Sequence, residues 1–179
     1  MNTVRPLHNL VLIGFMGTGK SSVGQAVAGQ LHFSFLDTDQ VIEQRVGKSV
    51  GEIFAGDGEP AFREWERRIV AELAARTKTV IATGGGLPAD DANLASLKTH
   101  ALVVCLWASP EKIWERVRGQ SHRPLLNDPD PLAKIRRLLE VREPYYRQAD
   151  VLVNTEMRSV RDVAQQVTHH FLAARAEGR

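Results

Sequence analysis

With 179 residues, 43% hydrophobic and 25% charged, the chain has the length and composition of one globular domain with a sizeable core. A net charge of +2 argues against broad nucleic-acid or membrane-surface binding, and a lone cysteine, Cys105, excludes an intrachain disulfide and suits a reducing, cytoplasmic setting. No apolar run has the length of a membrane span, the opening MNTVRPLHNL lacks the apolar core of a signal peptide, and the histidines form no zinc pattern with Cys105.

The first predicted strand, Leu10–Ile13, runs into GFMGTGKS at Gly14–Ser21, which fits G-x-x-x-x-G-K-[ST]. Glycines let such a loop curl its N–H groups onto phosphate oxygens, and the helix that follows, predicted over Lys20–Leu31, points its positive end at the same anion. Lys20 has the reach for the β- and γ-phosphates, and the Ser21 hydroxyl is a ligand for Mg²⁺. The alternative is a glycine-rich turn with an incidental lysine, but the motif sits between a predicted strand and a predicted helix, the context it requires.

A second strand, predicted over His32–Leu36, ends in FLDTD. Asp37 and Asp39 face the same side if strand geometry persists that far. Two solvated aspartates capping the next helix are the plain alternative. Ser49 and Glu52 predict a capping box for a short helix near Val50–Ala55, and Pro60 suits the first turn of a helix over Ala61–Arg76. On that helix Glu66 lies three residues after Arg63, placed to hold its guanidinium.

The third strand, Thr79–Ala82, opens into Gly84–Gly86, a side-chain-free strand end where α/β sheets bind ligands. The fourth strand, Leu102–Leu106, leads through a short helix to the polar, proline-containing stretch Arg118–Pro129. Asp130 and Pro131 read as the N-cap and first residue of another helix, with a break or kink expected near Arg142–Glu143 because of Pro144. A weak fifth strand, Val151–Val153, precedes a last helix capped by Ser159 and Asp162 and ending near Ala174; residues 1–7 and the final AEGR are expected to fray. Trp65, Trp107, Trp114, Cys105, Tyr145 and Tyr146 read as packing or structural residues. The alternation of strands and helices predicts an α/β fold, a five-stranded, mostly parallel sheet flanked by helices.

Taken in order, GFMGTGKS, the Asp37/Asp39 pair, GEPAFREWE, TGGGLP, HRPLL and REPYY resemble shikimate kinase, over Gly14 to about Thr155. The resemblance implies a P-loop NTPase of the nucleoside monophosphate kinase-like fold. It implies one kinase domain over residues 1–179, with a substrate-binding segment at about 38–68 and a lid at about 118–129. The implied reaction is phosphorylation by ATP, with Mg²⁺, of the shikimate 3-hydroxyl on the route to chorismate and the aromatic amino acids, by a monomer.

ATP would then be bound by Gly14, Met16, Gly17, Thr18, Gly19, Lys20, Ser21, Ser22, Arg118, Arg123 and Pro124. Shikimate would be held by Asp39, Phe54, Phe62, Arg63, Gly84, Gly85, Gly86 and Arg142, with Arg63 and Arg142 on its carboxylate. Ser21 and Asp37 would hold Mg²⁺, Asp37 through water. Lys20, Asp39 and Arg123 would be catalytic, Arg123 as the lid arginine. The rival readings are a kinase of another small hydroxylated acid such as gluconate, a nucleoside monophosphate kinase, and a nucleotide-binding module without catalysis.

Overall fold

The computed structural model describes residues 5–119 and 128–177. Five strands, β1 Asn9–Ile13, β2 Ser34–Asp37, β3 Thr79–Ala82, β4 Ala101–Trp107 and β5 Val151–Asn154, form one sheet in the order β2-β3-β1-β4-β5. All four neighbouring pairs are parallel. The helices between them are α1 Lys20–Leu31, α2 Thr38–Val46, α3 Val50–Gly56, α4 Glu59–Leu73, α5 Asp91–Lys98, α6 Pro110–Val117, α7 Pro131–Tyr146 and α8 Val160–Glu177.

The period of two along β1 explains why both faces must be covered. Leu10 and Leu12 join one apolar cluster, with Val23 and Val27 of α1 and Val163, Val167 and Phe171 of α8. Val11 and Ile13 join the other, with Phe62, Ile69 and Leu73 of α4, Ile113 of α6 and Ile135 of α7. A central strand apolar on both faces excludes solvent from both, as parallel sheets require. All C-terminal strand ends therefore lie along one edge, where the connecting loops converge.

Local rules account for most boundaries. Ser49 and Glu52 form the reciprocal capping box, Asp130 caps α7 through its side chain to Ala133 N, and Ser159 and Asp162 cap α8 in the same reciprocal way. Three expectations need correction. Strand β2 begins at Ser34 because His32, with φ of 54°, takes the left-handed position that ends α1. Helix α7 runs unbroken through Pro144: the helix ends two residues later, so proline removes only one late hydrogen bond, to the carbonyl of exposed Glu140. Trp107 is 44% exposed at the end of β4 and is not a packing residue, whereas Trp65 and Trp114 pack against the core and Cys105 is buried. No helix among the described residues is long and apolar enough to cross a membrane.

Candidate active site

The loop after β1 is shaped for an anion. Gly14 has φ of 134°, and a Cβ there would stand 2.3 Å from the Leu106 carbonyl oxygen, so neither backbone nor space admits a side chain. Thr18 is buried and its hydroxyl donates to Phe15 O at 2.7 Å, fixing the curl. Gly19, at φ of 92°, is the N-cap of α1 and supplies no side-chain cap, so the first-turn N–H groups of α1 remain available to a ligand. Lys20 Nζ lies over the loop and donates to Gly14 O at 2.8 Å and Phe15 O at 2.9 Å. Met16 packs partly on the core, and Ser22 is exposed on the first turn of α1.

At the end of β2 the two aspartates diverge. Strand geometry stops at Asp37, which is the N-cap of α2 and accepts from Asp39 N at 3.1 Å through Oδ1. Its other oxygen, Oδ2, accepts from Ser21 Oγ at 2.7 Å. Asp39 thus reaches the site from the first turn of a helix and not from a strand, a correction to the alternation argument. Asp37 does cap, as the plain alternative held, but Asp39 is not a solvated surface residue. Its Oδ1 is buried without a hydrogen-bond partner among the described residues. Burial pushes its pKa up to about 7, helped by the negative charges of Asp37 and Glu66 and opposed by Lys20.

Gly84–Gly86, after β3, explain what surrounds Asp39. A Cβ on Gly84 would stand 2.5 Å from Asp39 Oδ1 and 3.1 Å from Glu66 Oε1. One on Gly85 would stand 3.3 Å from Arg142 Nη1 and 3.5 Å from Gly14 O of the phosphate loop. One on Gly86 would stand 2.6 Å from both terminal nitrogens of Arg63. Each glycine therefore clears space for one candidate side chain, and the middle one abuts the phosphate loop.

The two arginines come from different helices. Arg63, on α4, donates through Nη1 to Glu66 Oε2 at 2.6 Å and through Nη2 to Glu59 Oε1 at 2.7 Å. Burial opposes its charge, but these carboxylates outweigh it and raise its pKa. Glu66 is fully buried; burial raises its pKa, against the pull of Arg63 and Arg142. Arg142, on α7, lies 5.3 Å over the Phe15 ring. Phe62 is buried with its ring centroid 4.9 Å from that of Phe54, which is 36% exposed, so these two form a half-open aromatic wall beside Arg63.

Some candidates do not join the cluster. Arg118 is exposed at the C-terminal cap of α6. Arg123 and Pro124 lie outside the described residues. Sequence reasoning passed over Arg116, in the last turn of α6, whose Nη1 donates to Gly17 O at 3.2 Å and Thr155 Oγ1 at 2.9 Å. It thereby ties the phosphate loop to the segment after β5. Tyr146, expected to be structural, donates its hydroxyl to Gly85 O at 2.7 Å and so touches the glycine turn. Burial raises the Tyr146 pKa to about 12, against the nearby Arg142 charge. Neither link has a local signature; both join segments far apart in the chain.

The Ser21 hydroxyl and Asp37 carboxylate make a hard-oxygen pair beside the phosphate loop, a donor set that fits Mg²⁺ taking its remaining ligands from phosphate and water. Among the described residues no cluster of three or more His, Cys, Asp and Glu side chains forms a fuller metal site. A cavity of about 550 Å³ opens between β4, β5 and α7, with Tyr146 in its lining.

A family model described as shikimate kinase matches residues 16–172. A shikimate kinase of Caldanaerobacter subterraneus subsp. tengcongensis is 42% identical over 93% of this chain and 97% of that relative. One from Thermus thermophilus is 43% identical over 91% of this chain and 89% of its own length. Among solved structures, shikimate kinase from Acinetobacter baumannii in complex with shikimate superposes with a TM-score of 0.89 at 38% identity, covering 93% of this chain and 94% of that one. A gluconokinase from Sinorhizobium meliloti shares the fold, with a TM-score of 0.61 at 20% identity, covering 97% of this chain and 96% of that one.

Proposed function

The chain belongs to the shikimate kinase family, and from that premise we propose how its residues divide the family's reaction among them. The reaction is transfer of the γ-phosphoryl group of ATP to the 3-hydroxyl of shikimate, giving shikimate 3-phosphate and ADP on the route to chorismate and the aromatic amino acids. The observation that carries the residue assignment is the triple-glycine turn. It brings one carboxylate and two guanidinium groups together on side-chain-free backbone beside the phosphate loop.

The loop N–H groups, the α1 N-terminus and Lys20 hold the nucleotide phosphates. Lys20 exchanges its loop carbonyls for phosphate oxygens on binding. Ser21 and Asp37 hold Mg²⁺, which when bound neutralises phosphate charge. Arg63 and Arg142 grip the acceptor's carboxylate, a task suited to planar forked donors, with Phe54 and Phe62 against its ring. Asp39 accepts from the acceptor hydroxyls and orients the attacking oxygen. As the oxygen–phosphorus bond forms and the bond to ADP breaks, the hydroxyl proton passes to the Asp39 carboxylate. A base with a pKa near 7 is well matched to that step at neutral pH.

Positioning and electrostatics supply most of the remaining rate enhancement, because little other covalent chemistry is left to the protein. The segment 38–68 carries four of the acceptor-side groups, Asp39, Phe54, Phe62 and Arg63. Arg123 and Pro124 keep their family-implied roles, at the transferring group and near the adenine, on the HRPLL motif alone. For Arg118 that role is in competition with Arg116, which touches the phosphate loop.

The test is an ADP-release assay on purified protein with Mg·ATP and, in turn, shikimate, quinate and gluconate. Release in step with shikimate 3-phosphate, with gluconate inert, is the expected result. Activity on gluconate alone would move the acceptor assignment to the rival reading.

A further inference from the structure

We infer that Tyr146 is a positioning residue for the acceptor site, setting the Gly85–Gly86 peptide and holding Arg142 against it. The inference deepens the reading above and rests on its assignment of Arg142 to the acceptor's carboxylate.

Three observations place these groups together. Tyr146 Oη donates to Gly85 O at 2.7 Å. Arg142 Nη1 stands 3.3 Å from where a Gly85 Cβ would be. Arg142 and Tyr146 are four residues apart on α7 and so lie on one face of it. That shared face exists only because the helix is continuous through Pro144. The proline has no N–H to give the Glu140 carbonyl, so the last turn is held to the rest of α7 by fewer bonds. The Tyr146 hydroxyl ties that weakened turn to the sheet edge.

The glycine turn needs the tie as much as the helix does. Its ends are fixed: Gly84 N donates to Thr38 Oγ1 at 3.0 Å, and Leu87 N and Ala89 N donate to Gly84 O and Gly86 O. The peptide between Gly85 and Gly86 has no side chain on either flank, and glycine backbones turn freely. Tyr146 fixes its carbonyl. In a planar trans peptide the next N–H points the opposite way, so the Gly86 N–H is turned away from α7. The Tyr146 ring is buried in the core and also lines the cavity of about 550 Å³ shared with Cys105, Trp107, Leu139 and Leu152.

The experiment is calorimetric titration of Tyr146→Phe, which keeps the buried ring and removes only the hydroxyl. We expect shikimate to bind about fivefold more weakly, the size of one lost hydrogen bond. Mg·ATP affinity should be unchanged and kcat at saturating shikimate largely kept. An unchanged shikimate Kd, or equal weakening for both ligands, overturns the inference. Arg142→Ala is titrated in parallel. If it loses shikimate affinity while Tyr146→Phe does not, the inference alone fails; if Arg142→Ala binds shikimate normally, the carboxylate assignment beneath it fails. Thermal melting and circular dichroism of both variants report folding.

Discussion

Gly84 and Asp39 stand so close that a single methyl group on the glycine would reach within 2.5 Å of the buried carboxylate oxygen. That oxygen has no hydrogen-bond partner among the described residues, and burial of this kind disfavours charge. Asp39 is therefore held ready for a proton donor such as a substrate hydroxyl, at a cost to the unliganded fold.

That cost has a sign. The folded-state pKa of about 7 lies above the ordinary 3.8, so the native protein binds more protons than the unfolded chain between these values. The Asp39 contribution to stability is present at low pH and is lost as pH rises through about 7. Asp39→Asn should therefore melt higher than wild type at pH 8, by at least about 3 °C, the shift that ~1 kcal/mol gives a domain of this size. The difference should shrink toward pH 5. The same variant should bind Mg·ATP normally and lose roughly a hundredfold or more in kcat, as expected for removal of a general base. A variant no more stable at pH 8 than at pH 5, relative to wild type, would contradict the burial argument.

Gly86→Ala separates space from backbone conformation. Gly86 has φ of −96°, which alanine adopts without strain, so the nearest conflict is with the Arg63 guanidinium at 2.6 Å. A flexible side-chain end yields more easily than backbone, so melting should stay within a few degrees of wild type. Shikimate KM should rise about tenfold as Arg63 is displaced, with the ATP KM unchanged. A large loss of stability with an unaltered shikimate KM would show that the glycine serves the fold and not the arginine.

Asp37 has two tasks that one substitution can split. Asparagine caps helices about as well as aspartate, so Asp37→Asn should preserve α2 and the melting temperature. It removes the charge beside Ser21, and the Mg²⁺ concentration for half-maximal activity should rise about tenfold or more. Unchanged Mg²⁺ dependence would take Asp37 out of the metal site.

His100 lies at the opposite edge of the sheet and makes a separate pH prediction. Its Nδ1 meets Asn9 Nδ2 at 2.9 Å, and because Asn9 Oδ1 accepts from Thr79 N, that amide nitrogen must be the donor and the ring nitrogen the acceptor. Burial lowers the His100 pKa, with help from His8. A depressed histidine pKa means stability that is full above about 6.5 and is lost as pH falls below it. His100→Gln should narrow the loss of urea resistance between pH 7 and pH 5; an identical loss in the variant would mean that other groups titrate there.

Some of the site was readable before any geometry. GFMGTGKS between a strand and a helix specified the phosphate loop, and Ser49/Glu52, Asp130/Pro131 and Ser159/Asp162 marked helix starts. These signals work because a cap or a loop acts within about one helical turn of itself. The same locality explains the errors. Proline disfavours a helix interior by a local rule, but Pro144 stands so near the end of α7 that only one late hydrogen bond is lost. Trp107 is a large apolar residue like those of the core, but it stands at the last position of β4 and is 44% exposed.

The sequence by itself determined the order and type of the elements, the phosphate loop, and a set of residue types suited to an acidic, hydroxylated acceptor. Only the tertiary structure decided which of them meet. Gly84, Gly85 and Gly86 could be read as a bare strand end, but not as clearances for Asp39, Arg142 and Arg63 in turn. Nor could Arg116 be matched to Gly17 and Thr155. The physical reason is range. Periodicity and capping act over a few residues, whereas the sheet order β2-β3-β1-β4-β5 brings the ends of β2, β3 and β1 together, with α4 and α7 packed across them. β1, buried on both faces, lies at the centre of that order, and the site forms where the buried strands end.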